Sequence, residues 1–312
     1  MSIATQATLV IILTTVVLPL SSGALLSFIF SQFNTKQTIK RFAPLLALTL
    51  SQLVSFVGIL SLGQLWGADA VRYLFWMPLL VGIFWEIGDV LLSRKSNQLW
   101  TVLGSSFMLL FGILLTTISL SVPLKGLWHQ GINKAILNEF LVPCIALFFL
   151  GVRFNLKVIN QEAKVAPAQF ASVAVTFGVA APVVGLSGSA SLAQLLAAFG
   201  LSVAGVGLMA LWRGLSLSKS SYVSSYFSLF ATLLYAHLYL SPALSPTLFT
   251  LLVLSPSCGA LSSLWRLSPI KNTFLAIILS MPLSMIALGL IANQEMNTTT
   301  TTQDVDEFGA SY

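Results

Sequence analysis

Apolar residues form ten long runs along the chain, and short polar segments separate them. Most runs have about 18–23 residues, the length at which an α-helix crosses a hydrocarbon core of about 30 Å. They do not alternate apolar and polar residues as the strands of a membrane β-barrel do. The pattern predicts an all-α polytopic membrane protein with ten transmembrane helices, spans 1–10. These cover residues 8–30, 43–66, 73–92, 99–122, 137–152, 168–186, 190–212, 221–241, 245–265 and 272–292.

Composition supports a membrane environment. Hydrophobic residues make up 56% of the 312 residues and charged residues only 8%, whereas soluble domains have about 25% charged residues. The surface of a soluble protein of this size needs more charged side chains than this chain has. We therefore expect lipid to cover much of the surface of this protein. Cys144 and Cys258 lie inside apolar runs without a CxxC spacing, which favours core residues over a redox or metal site.

The basic residues are distributed unevenly among the predicted loops. Because Lys and Arg are retained in cytoplasmic loops, this distribution predicts that both termini lie outside. It also explains the net charge of +6 without a nucleic-acid partner. The expected location is the plasma membrane, or the inner membrane of a bacterium, with multiple crossings. Of the 15 bases, 12 follow odd-numbered spans: Lys36, Lys40, Arg41, Arg94, Lys95, Arg153, Lys157, Lys164, Arg213, Lys219, Arg266 and Lys271.

The predicted domain organisation is one transmembrane domain, residues 1–293, followed by a tail. The tail, 294–312, contains a threonine run and several acids and lacks apolar periodicity, which predicts disorder. Five spans precede Arg153–Val165 and five follow it, and five is odd. The two halves, 8–152 and 168–292, would therefore have opposite orientations, as in an inverted repeat.

Span 3 contains two carboxylates, Glu86 and Asp89, spaced three residues apart. This spacing places both on one face of a helix. Charges inside a membrane are unfavourable and often mark ion pathways, so we interpret the pair as a candidate proton or cation site. The alternative is that both side chains extend toward Arg94 and Lys95 at the membrane surface.

Proline and small polar residues interrupt several spans. Proline removes a backbone hydrogen bond, which leaves a carbonyl free to bind a ligand. In secondary transporters such breaks form the substrate site. The alternative is ordinary kinks and small-residue packing between helices. The breaks are Pro19 and Pro256, with Gly104 opening span 4, and the accompanying candidate binding residues are Ser21, Ser22, Gly23, Ser257, Cys258 and Gly259.

One stretch carries a family resemblance. The sequence Leu251-Leu-Val-Leu-Ser-Pro256-Ser257, followed by Arg266 and the apolar run Leu275–Leu290, resembles the last two helices of auxin-efflux-carrier-type permeases, within the bile acid/auxin carrier-like superfamily. That resemblance implies ten helices in two inverted halves of five, with both termini outside as in plant members. It also implies an elevator-like secondary carrier for organic anions, with the substrate near crossed, broken fourth and ninth helices.

The sequence therefore favours a secondary-active permease of a small solute, with an organic anion as one option, coupled to protons or cations. The second interpretation is a non-transporting subunit or assembly factor of a membrane complex. A third is an intramembrane serine protease, because Gly185-Leu-Ser187-Gly188 matches a rhomboid motif and His237 follows in span 8. Cofactor motifs are lacking, so we expect no enzyme activity, no cofactor and no metal. The expected partners are the lipid bilayer and the solute, and a homodimer is compatible with the sequence.

Overall fold

The computed structural model describes residues 3–32, 37–66, 70–93, 111–112, 166–214, 217–240, 244–265 and 267–308, and these residues form helices and their connections. Predicted spans 4 and 5, with Gly104 and Cys144, lie outside the described residues apart from positions 111 and 112. The helices are α1 (Ile3–Ile12), α2 (Leu18–Gln32), α3 (Gln37–Leu60), α4 (Tyr73–Ser93), α5 (Ala166–Leu186), α6 (Ala190–Arg213), α7 (Lys219–Tyr239), α8 (Pro246–Ala260) and α9 (Pro269–Phe308).

These helices fit the all-α membrane class that the sequence predicts. Six helices among the described residues are long and apolar enough to cross a membrane. They correspond to spans 1, 2, 3, 6, 7 and 10, while α7 and α8 correspond to spans 8 and 9. Span 9 is a 15-residue α-helix followed by a 3₁₀ segment, Leu261–Leu264. Helix α9 is continuous to Phe308 and so includes most of the tail for which the sequence predicts disorder. Ten crossings, the repeat and the orientation stay predictions.

In this protein the more apolar helices are the more exposed ones, which is the opposite of a soluble protein. The two most apolar membrane-length helices are the least buried, with 17% of the apolar window buried in Thr5–Gln32 and 28% in Pro269–Gln294. In contrast, α7 is too polar to be one of the six, yet every residue from Ser220 to Leu234 is buried. Exposed Leu, Ile and Phe side chains are stable in contact with lipid but not in contact with water. Exposed apolar helices around a buried polar helix are therefore expected for a bundle embedded in a membrane.

Helix α7 is the centre of the bundle. It packs against α3, α4, α5, α6 and α8, and α4 is its most extensive partner among the helices that the structure describes. Large aromatic side chains fill the space around it, among them Tyr222, Tyr226 and Phe230, each at most 1% exposed. Because neighbouring helices enclose α7 from Ser220 to Leu234, its serines and its threonine face protein instead of hydrocarbon.

Helices α2 and α6 cross at backbone contact. A Cβ atom added at Gly205 would lie 2.4 Å from the carbonyl oxygen of Leu20, and one added at Gly23 would lie 2.7 Å from that of Ser202. Only glycine allows two helix backbones to approach this closely. Together with α3, which packs on both helices, they form one tightly packed unit.

One end of the bundle is defined by Arg213, Lys219 and Lys271, where α6 ends and α7 and α9 begin. We call it the basic end. Helix α5 also begins here, because the rings of Phe170 and Tyr222 lie 6.1 Å apart near the starts of α5 and α7. Helix α8 ends here, since a Cβ atom at Gly259 would lie 3.0 Å from the carbonyl oxygen of Ala276 near the start of α9.

Candidate functional site

Glu86 is a buried acid at the interface of α4 and α7. Its side chain is 4% exposed, and the hydroxyl of Ser220 donates a hydrogen bond of 2.6 Å to Oε2. Ser220 lies in the first turn of α7, where backbone N–H groups have no intrahelical partner and the helix dipole favours a negative charge. The Glu86 side chain therefore points toward α7, into the interior of the bundle. Asp89 belongs to α4, but its side chain lies outside the described residues.

Ser220, Ser224 and Ser228 form a polar stripe along α7, because residues four apart share a helix face. The stripe faces α4 and α3. A Cβ atom at Gly82, one turn before Glu86, would lie 3.1 Å from that of Ser224, and Gln52 Nε2 donates to Ser228 Oγ over 3.2 Å. The buried Ser224 hydroxyl has no side-chain hydrogen bond in the described part of the chain. Polar side chains thus extend from Glu86 into the interior of the bundle.

The opposite face of α7 presents two tyrosines to α5 and α8. The Tyr226 hydroxyl donates to the carbonyl oxygen of Val253 and also hydrogen-bonds the side chain of Ser257. The ring of Tyr222 lies 6.2 Å from that of Tyr226. Its hydroxyl is buried and finds no hydrogen-bond partner among the described residues. Two neighbouring tyrosines therefore differ in whether the described residues satisfy the hydroxyl.

This difference predicts opposite effects for one chemical change. Tyr226→Phe should lower the free energy of unfolding by about 1–3 kcal/mol, because the Val253 carbonyl loses its side-chain donor in a buried site. Tyr222→Phe should leave stability unchanged or raise it slightly, since it removes a buried hydroxyl that has no described partner. Thermal unfolding of the detergent-solubilised variants measures both effects. Equal destabilisation by the two changes would show that the Tyr222 hydroxyl is also satisfied.

The predicted break in span 9 lies in a polar seam between α5, α8 and α9. The Ser255 hydroxyl lies 3.1 Å from Thr176 Oγ1 and 2.6 Å from Ser284 Oγ. The Ser172 hydroxyl donates to the Pro256 carbonyl oxygen over 3.4 Å. Neighbouring helices thus satisfy the polar groups that flank the proline. Ser257 faces Tyr226 on α7, and Cys258 is a half-buried free thiol.

The predicted break in span 1 is satisfied in a similar way. The helix is continuous through a π-helical segment, Leu13–Val17, just before Pro19. The Pro19 carbonyl oxygen accepts hydrogen bonds from Ser22 at 3.1 Å and Ser51 at 3.0 Å. Ser21 is exposed and donates to the carbonyl oxygen of Val17 at 2.6 Å. Ser22 and Gly23 therefore contribute to the packing of α2 on α3 and α6.

The two predicted breaks line different interfaces. Helix α2 packs on α3 and α6, whereas α8 packs on α5, α7 and α9. Each residue of the suggested protease pair also has its own partner. The Ser187 hydroxyl donates to the Val183 carbonyl oxygen at 3.0 Å, and His237 Nδ1 lies 2.5 Å from the Leu244 carbonyl oxygen. Both of these contacts are with backbone carbonyl oxygens near helix ends.

Comparison of the chain with protein-family models, curated proteins and solved structures finds no match. Within the described ranges, no group of three or more His, Cys, Asp and Glu side chains is placed to hold a metal ion.

Several polar residues of the interior are missed by the sequence analysis. Buried polar atoms of Gln169, Tyr222, Ser224, Ser262 and Asn272 have no hydrogen-bond partner among the described residues. The signal in the sequence is an uncharged polar residue within or beside an apolar run. It is a weak signal, because Ser, Asn and Gln are common between membrane helices as packing and hydrogen-bonding residues.

Proposed function

We propose that the protein is a secondary-active carrier that moves a small organic anion across the plasma membrane in exchange for, or together with, a proton or cation. The observation that carries this proposal is Glu86, an acid that is 4% exposed and turned toward Ser220 on the central helix. Acids at such positions in membrane helices usually mark ion or proton pathways, because burying them is otherwise unfavourable.

An arrangement in two related halves would repeat within one half the helix contacts found within the other. Spans 1, 2 and 3 would then correspond to spans 6, 7 and 8. The α2–α3 contact has its counterpart in α5–α6, and α3–α4 in α6–α7. The α2–α6 and α5–α7 contacts have no comparable counterparts in α3–α5 and α2–α4 among the described helices, so the repeat is proposed from the contacts within each half alone. Halves that pack in this way support alternating access.

The alternative is a non-transporting subunit of a membrane complex. That role predicts an interior in which the protein satisfies its own polar groups, as it does around Ser22, Ser51 and Pro19. Several buried polar atoms nevertheless have no partner in the part of the chain that the structure describes, among them those of Thr15, Ser27, Tyr222, Ser224 and Gln169. Buried polar groups without partners are retained where a ligand, an ion or water completes them, which favours the carrier.

Electrical recording from proteoliposomes on a solid support tests the proposal. The full chain is reconstituted and exposed to concentration jumps of acetate, succinate and benzoate, with proton or sodium gradients directed inward in one series and outward in another. A carrier coupled to protons or cations should give a transient current or a pH change with at least one anion, absent from protein-free liposomes. Silence across this panel, with correctly folded protein, would favour the non-transporting subunit.

A further inference from the structure

Helices α5, α8 and α9 meet at a close contact near the basic end. A Cβ atom added at Gly259 of α8 would lie 2.4 Å from Cβ of Ser172 on α5 and 3.0 Å from the carbonyl oxygen of Ala276 on α9. Gly259 is buried and leaves no room for a side chain between the three helices. These three residues therefore define which faces of α5, α8 and α9 point toward one another.

One helical turn closer to the basic end, each of these faces carries a polar residue. Gln169 precedes Ser172 by three positions, Ser262 follows Gly259 by three, and Asn272 precedes Ala276 by four. Residues three or four apart share a helix face, and Ser262 lies in the short 3₁₀ segment that continues α8. The three side chains are therefore directed toward one region, between the starts of α5 and α9 and the end of α8.

All three residues are buried and incompletely hydrogen-bonded. Gln169 and Ser262 are 0% exposed and Asn272 is 5% exposed. In the described part of the chain no partner contacts Gln169 Oε1 or Nε2, Ser262 Oγ, or Asn272 Oδ1. Buried polar atoms are nearly always paired in native proteins, so three unpaired side chains in one region indicate a missing binding partner.

The electrostatics of this region favour an anion. Helix α5 begins at Ala166 and α9 at Pro269, and the first turns of both helices present free N–H groups and the positive end of a helix dipole. The carbonyls of Cys258 and Gly259 in the last turn of α8 accept the N–H of Leu261, which reduces the opposing negative field. Gln169 Nε2 and Ser262 Oγ present unpaired donors. A half-turn of the Asn272 amide replaces its unpaired oxygen by a donor NH₂ group, and the exposed Lys271 follows Pro269 at this end.

We propose that Gln169, Ser262 and Asn272 form a binding subsite for an oxyanion, the carboxylate or the phosphate or sulfate group of a small solute. The subsite receives the anion from the basic end and binds it by neutral hydrogen bonds and helix dipoles. It lies one turn from the Ser255–Gly259 segment of α8. The inference names the chemical class of the solute for the proposed carrier and in that respect rests on the proposed function.

Anion-dependent thermal stability of the purified full chain tests the subsite without requiring transport. The melting temperature is measured in detergent with acetate, phosphate or sulfate, against chloride at equal ionic strength. At a tenfold excess over Kd, a bound oxyanion should raise the melting temperature of the wild type by about 3 °C. Gln169→Met and Asn272→Leu should abolish that increase. Without anion, both variants should melt at or above the wild-type temperature, because they remove unsatisfied buried polar atoms.

Thr176→Val is the matched control on α5. Its hydroxyl is buried but bonded to Ser255 and to the Ser172 carbonyl oxygen, so this change should lower the melting temperature and retain the response to anions. The proposal is overturned if wild type responds equally to chloride and all three oxyanions, or if Gln169→Met is destabilised like Thr176→Val and still responds. Anion binding without current rejects the carrier but keeps the subsite. Current without Gln169-dependent binding rejects only the subsite.

Discussion

Gly205→Ala should destabilise the protein by about 3 kcal/mol or more, although it adds a single methyl group. The new Cβ atom would lie 2.4 Å from the Leu20 carbonyl oxygen and 3.0 Å from the Ala24 nitrogen. Both are backbone atoms of α2 and cannot rotate away, so the helices have to separate. Overpacking of this kind costs about 1–3 kcal/mol in ordinary cores, and we expect the upper end or more where the obstacle is a helix backbone. Thermal unfolding in detergent and the yield of monodisperse protein measure the loss.

Gly178→Ala provides the control for the same chemical change. Gly178 lies on an exposed face of α5, and a Cβ atom there would meet no atom within 4 Å. Alanine is favoured over glycine in a helix by about 0.5–1 kcal/mol, so this variant should be as stable as wild type or more stable. If Gly205→Ala also retained wild-type stability, the close crossing of α2 and α6 would be wrong.

Glu86→Gln should abolish coupled transport while leaving the protein folded. The amide retains the size of the acid and can still accept the hydrogen bond that Ser220 donates to Oε2 at 2.6 Å. It removes the charge that a proton or cation neutralises, so we expect at least a tenfold decrease in anion-driven current and loss of its dependence on pH. Current from proteoliposomes prepared at several pH values is the measurement.

Glu295→Gln makes the same substitution beyond the apolar run of span 10 and should leave both current and pH dependence unchanged. Retention of a pH-dependent current by Glu86→Gln would assign Glu86 a structural role at the α4–α7 interface. Ser220→Ala gives an intermediate case, because it removes the donor to Glu86 without removing its charge.

Helix positions were largely predictable from apolar length. The predicted spans 168–186 and 190–212 agree closely with helices Ala166–Leu186 and Ala190–Arg213. The reason is that a helix that crosses hydrocarbon needs about 20 apolar residues, which a hydropathy pattern shows directly. Helix ends were less predictable. Span 9 continues as a 3₁₀ segment after Ala260, and α9 extends to Phe308 through residues without apolar character.

The candidate site was predictable only in part. Glu86 was found from the sequence because a charge in an apolar run is rare. Gln169, Ser262 and Asn272 were not found, because each is an ordinary polar residue at the edge of a span. They lie in one region only because α5, α8 and α9 pack together around Gly259. Sequence reasoning also could not foresee that the Ser172 and Ser51 hydroxyls would occupy the carbonyls of Pro256 and Pro19.

The sequence by itself determined that this chain forms long apolar helices, with an acid in span 3 and a polar span 8. Tertiary structure decided that the polar helix, α7, is the central one, and that the first break is a packing seam. It also placed three unsatisfied polar side chains at one end of the bundle. The physical reason is that hydropathy is a property of one segment, whereas a hydrogen-bond partner depends on the register and crossing of segments far apart in the chain.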